Sequence, residues 1–270
     1  MKNRFFYALS AVCVIVPALA MAQDSSAAPS IPVDEIIRKF AAKEKEFKLA
    51  RDNYTFRQTI RVMDMGPDGS RIAGKHELTE DVLYDARGRR IEKVVYAPMD
   101  TLHNFSMSPE DESDLRNIQP FVLTSDDIGK YNLRYLGKQK VDEIECYLFF
   151  VSPKAMVKGE RYFEGQIWVD DRDLQIVKTF GKAVPDDLRK GHENIFPKFE
   201  TYREQIDGKY WFPTYTKADD VLNFSSGAVH IQEIVKYENY KMFRVSSGIT
   251  FGGEAGETKK PDKPEKPEKP

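Results

Sequence analysis

The sequence predicts an α+β fold: a strongly curved antiparallel sheet forming an unclosed half-barrel, covered by an N-terminal helix and a central helical lid. Three observations predict it. One amphipathic helical segment stands at 33–50, alternating and β-branched runs fill most of the chain from 54 to 237, and a single stretch, 98–130, interrupts them without strand alternation. Long antiparallel hairpins build one curved sheet, and a sheet that curves without closing leaves a concave face that a helix has to cover.

In the helical segment Val33, Ile36, Ile37, Phe40, Ala41 and Phe47 recur at helical spacing, while Lys39, Lys43, Glu44, Lys45, Glu46 and Lys48 take most of the other positions. Ser30 or Asp34 is the expected cap, and Pro32 suits the first turn. Mixed charges and a single apolar stripe favour packing on a sheet over lying on a membrane surface.

Strand patterning follows. Tyr54, Phe56, Ile60 and Val62 alternate with Thr55, Arg57, Thr59 and Arg61. Gly66-Pro67-Asp68-Gly69 turns the chain into a strand over 75–84, and Asp85-Ala86-Arg87-Gly88 turns it again into 91–96. After the interruption, strands are expected at 131–137 and 143–151. Two apolar runs, 163–169 and 174–180, flank a polar turn at 170–173 and read as a hairpin. F-E-T-Y-R-E-Q-I and Y-W-F-P-T-Y-T-K form a second pair about Asp207-Gly208. In the last strand, 229–237, Val229, Ile231, Val235 and Tyr237 share one face, and Glu233 is the one exception on that apolar side.

The interruption has unprotected Met99, Leu102, Phe105 and Met107, then S-P-E-D-E-S-D-L-R, where Ser108 and Pro109 can start a helix, then N-I-Q-P-F-V-L. Insertions of this length are commonly functional or mobile. A helical segment laid across the sheet is the expectation, with the acidic run as its solvated face.

The ends set compartment and charge. Lys2 and Arg4, an apolar core from Phe5 to Leu19 and the small-x-small site Ala20-Met21-Ala22 read as a secretory signal peptide over 1–22. An uncleaved anchor is disfavoured because the apolar run is short and broken by Pro17. Residues 23–30 read as a flexible leader, 31–245 as one domain, and 246–270, ending in a Lys-Pro-Glu repeat, as a disordered tail. The signal takes Lys2 and Arg4 from the 41 basic residues, so 39 bases face 43 acids, a balance that argues against nucleic acid as a partner. Cys146 alone survives processing and alternates with Ile144, Leu148 and Phe150, as a buried small hydrophobe would.

Catalytic signals are absent. His76, His103, His192 and His230 have no ligands at metal spacing, and no nucleophile elbow, phosphate loop or dinucleotide fingerprint occurs, so no cofactor and no enzyme activity are expected. Asp170, Asp171 and Asp173 read as turn residues. Trp168, Phe180, Tyr202, Tyr210, Trp211, Phe212 and Tyr215 crowd the late strands, either as ordinary sheet packing or as the lining for an elongated apolar ligand.

Three segments carry a family resemblance. Val141-Asp142-Glu143-Ile144-Glu145-Cys146-Tyr147-Leu148 with Ser152-Pro153-Lys154, Gly165-Gln166-Ile167-Trp168-Val169-Asp170 with 174–178, and Y-R-E-Q-I-D-G-K-Y-W-F-P at 202–213 resemble successive strands of the Lol-type outer-membrane lipoprotein-sorting, or lipoprotein-carrier, superfamily. The order of signal, helix, meander, helical insertion and further strands is similar as well. The resemblance implies a LolA-like half-barrel in the periplasm that binds a lipid or lipoprotein acyl chain without catalysis, in sorting or lipid transport; a monomer is expected. An envelope membrane protein is a further partner it allows. The alternative is an envelope protein-interaction or sensing module on the same fold. The expected cavity lining is Phe56, Ile60, Leu102, Phe105, Ile167, Phe180 and Val235.

Overall fold

A computed structural model describes residues 31–66, 69–85, 87–189 and 193–243. The expected signal peptide, the leader, the end of the domain past 243, the tail and His192 lie outside the described residues. Helix α1 (Val33–Arg51) leads into β1 (Tyr54–Met65), β2 (Ile72–Tyr84) and β3 (Arg90–Tyr96). Helix α2 (Pro109–Asn117) and a 3-10 turn at Ile128–Lys130 precede β4 (Tyr131–Val141), β5 (Ile144–Pro153), β6 (Tyr162–Asp170) and β7 (Ile176–Val184). The chain then adds β8 (Phe199–Ile206), β9 (Tyr210–Phe224) and β10 (Gly227–Met242). No helix among the described residues is long and apolar enough to cross a membrane.

All ten strands form one antiparallel sheet in the order β3-β2-β1-β10-β9-β8-β7-β6-β5-β4. Its two edges, β3 and β4, are not paired with each other, so the half-barrel is unclosed. Those edges are also consecutive in sequence. The chain between them therefore has to traverse the whole width of the sheet, and this connectivity alone lays α2 across a face. The last two strands run longer than their alternation suggests, because β9 continues through the polar A-D-D-V-L-N-F to Phe224.

Helix α1 fills one half of the concave face. Ile36, Phe40, Ala41, Glu44 and Phe47 form its buried stripe. Ile36, Phe40 and Ala41 pack with Phe121, Phe149, Phe163, Ile167 and Phe199 in a solid core. Contrary to the expected cap, Pro32 holds the N-cap position and no side chain caps the helix, so Asp34 lies within the first turn. The stripe's polar member, Glu44, is wholly buried and paired with Arg203 of β8. A second core lies under α2, where Leu115 meets Phe56, Ile60, Val62, Val82, Ile231 and Val235.

Candidate functional site

The cover over this second core is a strap of chain fastened at several points. At Gly74 a Cβ would stand 2.1 Å from the carbonyl oxygen of Thr101, so only glycine lets the strap lie against β2. There Thr101 N–H donates to the Lys75 carbonyl at 3.0 Å, and Lys75 N–H donates to Thr101 Oγ1 at 3.0 Å. Asn104 then donates Nδ2–H to the buried Asp64 carboxylate at 2.7 Å. Helix α2 starts where the sequence places it. Ser108 and Asp111 form a reciprocal capping box with proline at the first turn.

Two ion pairs hold α2 between distant strands. Arg116 reaches Glu92 of β3 at 2.9 Å. Asp114 accepts from Arg161, at the start of the β6 hairpin, at 2.8 Å. Arg161 also donates to the Pro185 carbonyl, and its guanidinium lies 3.8 Å over the Phe196 ring. The acidic run is thus only in part the solvated face the sequence suggests, with Glu110 exposed and Glu112 half-exposed. Asp114 is buried, because Arg161 compensates its charge where water cannot.

Beneath the strap a cavity of about 660 Å³ remains open. Phe105, Met107 and Leu115 form its roof, Phe196 and Phe199 one wall, and Val62 and Ile231 part of its floor. The loop between β7 and β8, bridged to itself at Asp187 and Asn194, closes the far side. The half-barrel is therefore solid where α1 packs and hollow where α2 covers. The volume falls within the range of about 300–1,000 Å³ usual for small-molecule sites.

The floor is not purely apolar. Glu233 faces the cavity between Ile231 and Val235, 5% exposed. Gln119 donates its side-chain Nε2–H to that carboxylate. Gln119 is held in place, because its N–H donates to the Asp114 carbonyl at 3.0 Å and its own carbonyl accepts from Thr201 Oγ1 at 2.9 Å. Thr201 and Thr216 share a hydrogen bond of 2.8 Å and continue a polar row across β8 and β9. Burial pushes the Glu233 carboxyl up to about 7, Asp111 and Asp114 add in the same sense, and the Gln119 amide pulls it back.

No protein-family model matches the chain, and no curated protein does. Several solved structures are similar to it. A DUF1329 family protein from Desulfovibrio piger is 14% identical, with 81% of this chain and 95% of that one covered at a TM-score of 0.38. A LolA superfamily protein from Nitrosomonas europaea is 14% identical, with 83% and 99% covered at 0.37. MucA/MucB from Pseudomonas aeruginosa is similar at 12% identity, 73% and 93% coverage and a TM-score of 0.23. Likenesses this distant say nothing of ligand or reaction, and the chemistry has to come from the site's own residues.

Of the residues expected to line a cavity, Phe105 does so. Phe56, Ile60 and Val235 lie in the core beside it. Leu102 is half-buried where the strap crosses Gly74. Ile167 is buried in the other core, under α1. Phe180 stands apart, 41% exposed. Thr179 pairs with Ile167 and Phe180 with Gln166, and directly opposed residues share a face, so Phe180 points away from the concave side. The crowded aromatics do not line the cavity either. Trp168 and Tyr202 flank Lys178 on the outer face, 4.9 Å each from its ammonium. The residues the sequence reading missed are Gln119, Arg161 and Phe196, which meet only through tertiary contacts. Glu233 was visible as a break in alternation.

Among the described residues, no three His, Cys, Asp or Glu side chains gather as around a metal ion. Cys146 is fully buried against Trp168 and Val177, and burial pushes its thiol up to about 12. At neutral pH such a thiol stays protonated and unreactive.

Proposed function

We propose that the protein is a non-enzymatic periplasmic binder of a lipid or lipoprotein acyl chain, held in the hollow half of the barrel beneath α2. The observation that supports this reading is the cavity of about 660 Å³ roofed by Phe105, Met107 and Leu115 on the half of the sheet that α2 covers. Each methylene buried there contributes about 0.8 kcal/mol, so eight contribute on the order of 6 kcal/mol, enough to hold an acyl chain and still release it. Release needs a cover that can lift. Helix α2 is tied down by Arg116–Glu92 and Asp114–Arg161, and the strap meets the sheet through a few separate hydrogen bonds at Thr101, Asn104 and Gln119 in place of a continuous strand ladder. The expected signal peptide supports export, and lipoprotein sorting or lipid transport are the roles that fit.

Native mass spectrometry of the protein taken from its own envelope tests the reading, together with displacement of a fluorescent acyl probe. Co-purifying lipid and saturable probe binding are the expected results. Ser226→Trp, an exposed position at the cavity mouth, should weaken the probe without lowering stability. Absence of both lipid and probe binding would remove the carrier reading.

A second reading, an envelope protein-interaction module, has one observation in its favour. Edge strand β3 exposes Ile91, Val94, Val95 and Tyr96, and a free apolar edge can accept a strand from a partner. Probe binding that survives Ser226→Trp unchanged, with no lipid recovered, would favour it.

A further inference from the structure

We infer that the cavity floor is a receptor for a positively charged head group: Gln119 and Glu233 together would take a protonated amine whose apolar body lies under α2. The inference rests on the carrier reading and names the class of amphiphile.

Alternation along β10 calls for an apolar residue at position 233, between Ile231 and Val235. A carboxylate there is costly unless it is paired. The cavity's two arginines are committed elsewhere. Arg161 is bound to Asp114, the Pro185 carbonyl and the Phe196 ring. The Arg189 guanidinium makes three contacts with Asp187. Gln119 is the only described residue that donates to Glu233.

Gln119 supplies the independent observation. It is 4% exposed, it lines the cavity, and its Oε1 has no hydrogen-bond partner. An ionised Glu233 keeps the amide N–H turned toward itself, which leaves Oε1 as an orphan acceptor. Two hydrogen bonds, to its main-chain N–H and carbonyl, hold the Gln119 backbone beside the floor. The floor thus holds a carboxylate and, closed off from water beside it, an amide oxygen, both acceptors, with no described donor between them. Glu110 and Asp111 of α2 add negative charge to the same walls. A protonated amine supplies donors for both acceptors and the missing charge. A carboxylate or phosphate head supplies neither and is repelled.

The test compares three ten-carbon amphiphiles, decylamine, decanol and decanoate, displacing one fluorescent acyl probe from wild type, Glu233→Gln and Gln119→Met at pH 8. In wild type, decylamine should displace the probe about tenfold more tightly than decanol, and decanoate should be weakest. Glu233→Gln should bring decylamine to within about threefold of decanol, the ratio of the two affinities being the readout. Gln119→Met should reduce the amine preference in the same direction, which keeps the test decisive should the first variant not fold. Equal binding of all three by wild type would overturn the inference and leave the carrier reading standing. An amine preference that survives both variants would overturn it too, by placing the charge recognition elsewhere. Displacement by none of the three would overturn the carrier reading itself.

Discussion

Arg203 of β8 donates from Nη1 to both oxygens of the Glu44 carboxylate in α1, at 3.1 and 3.2 Å, with both side chains inaccessible to water. Nη1 also reaches the Ile176 carbonyl at 3.3 Å, Nη2 the Phe121 carbonyl, and the guanidinium lies 5.1 Å over the Phe47 ring. Burial pushes the Glu44 carboxyl up and Arg203 pulls it back, so the pair is stable only as a pair. Glu44→Leu alone strands a buried cation and should cost about 3–5 kcal/mol in denaturant unfolding. The double variant Glu44→Leu, Arg203→Met should recover most of that loss, and a double variant no more stable than the single would refute the coupling.

The pH dependence of Glu233 has a definite sign. Its carboxyl titrates near 7 in the folded chain, pushed there by burial, against 4.5 when exposed. Between those values the folded chain keeps a proton that the unfolded chain has released, so this group's contribution falls as pH rises from about 4.5 through 7. Glu233→Gln removes that effect. The variant should match wild type near pH 4.5 and exceed it by about 3 kcal/mol at pH 8. Asp111 and Asp114, which burial also raises, are present in both proteins, so the difference reports Glu233 together with its coupling to them. A difference that stays flat from pH 4.5 to 8 would contradict it.

The strap should come away before the sheet does. Arg161→Ala leaves Asp114 buried without its cation, and removes the contact over Phe196. Amide exchange over 109–117 should speed up at least about tenfold, while β6 and β7 keep their protection. A long-chain amphiphile should slow exchange in the strap of wild type first. Equal protection of strap and sheet, unmoved by ligand, would show that the strap does not open for cargo.

Gly165 and Gly181 face each other across β6 and β7. A Cβ at Gly165 would stand 2.2 Å from the Phe180 carbonyl oxygen and 2.5 Å from Gly181 Cα. Both obstacles are backbone and cannot step aside. Gly165→Ala should therefore lose about 1–3 kcal/mol or more by thermal unfolding. Gly129→Ala, where a Cβ meets nothing within 4 Å, should lose nothing and serves as the control.

Local chemistry made the elements legible. Alternation set the strands, Ser108 and Pro109 set the start of α2, and the stripe from Ile36 to Phe47 set the packed face of α1, because each depends on residues a few positions apart. Even the floor of the site left a mark, as the one acid among the apolar positions of β10. Two things were decided only by tertiary structure. Alternation of period two names two faces but not which one is covered, so Ile167 and Phe180 look equivalent until the β6–β7 register puts them on opposite sides. And the hollow exists because β3 and β4 end at opposite edges, which carries residues 97–130 across the face that α1 only half fills, bringing Gln119 to Glu233 over 114 positions that no local pattern connects.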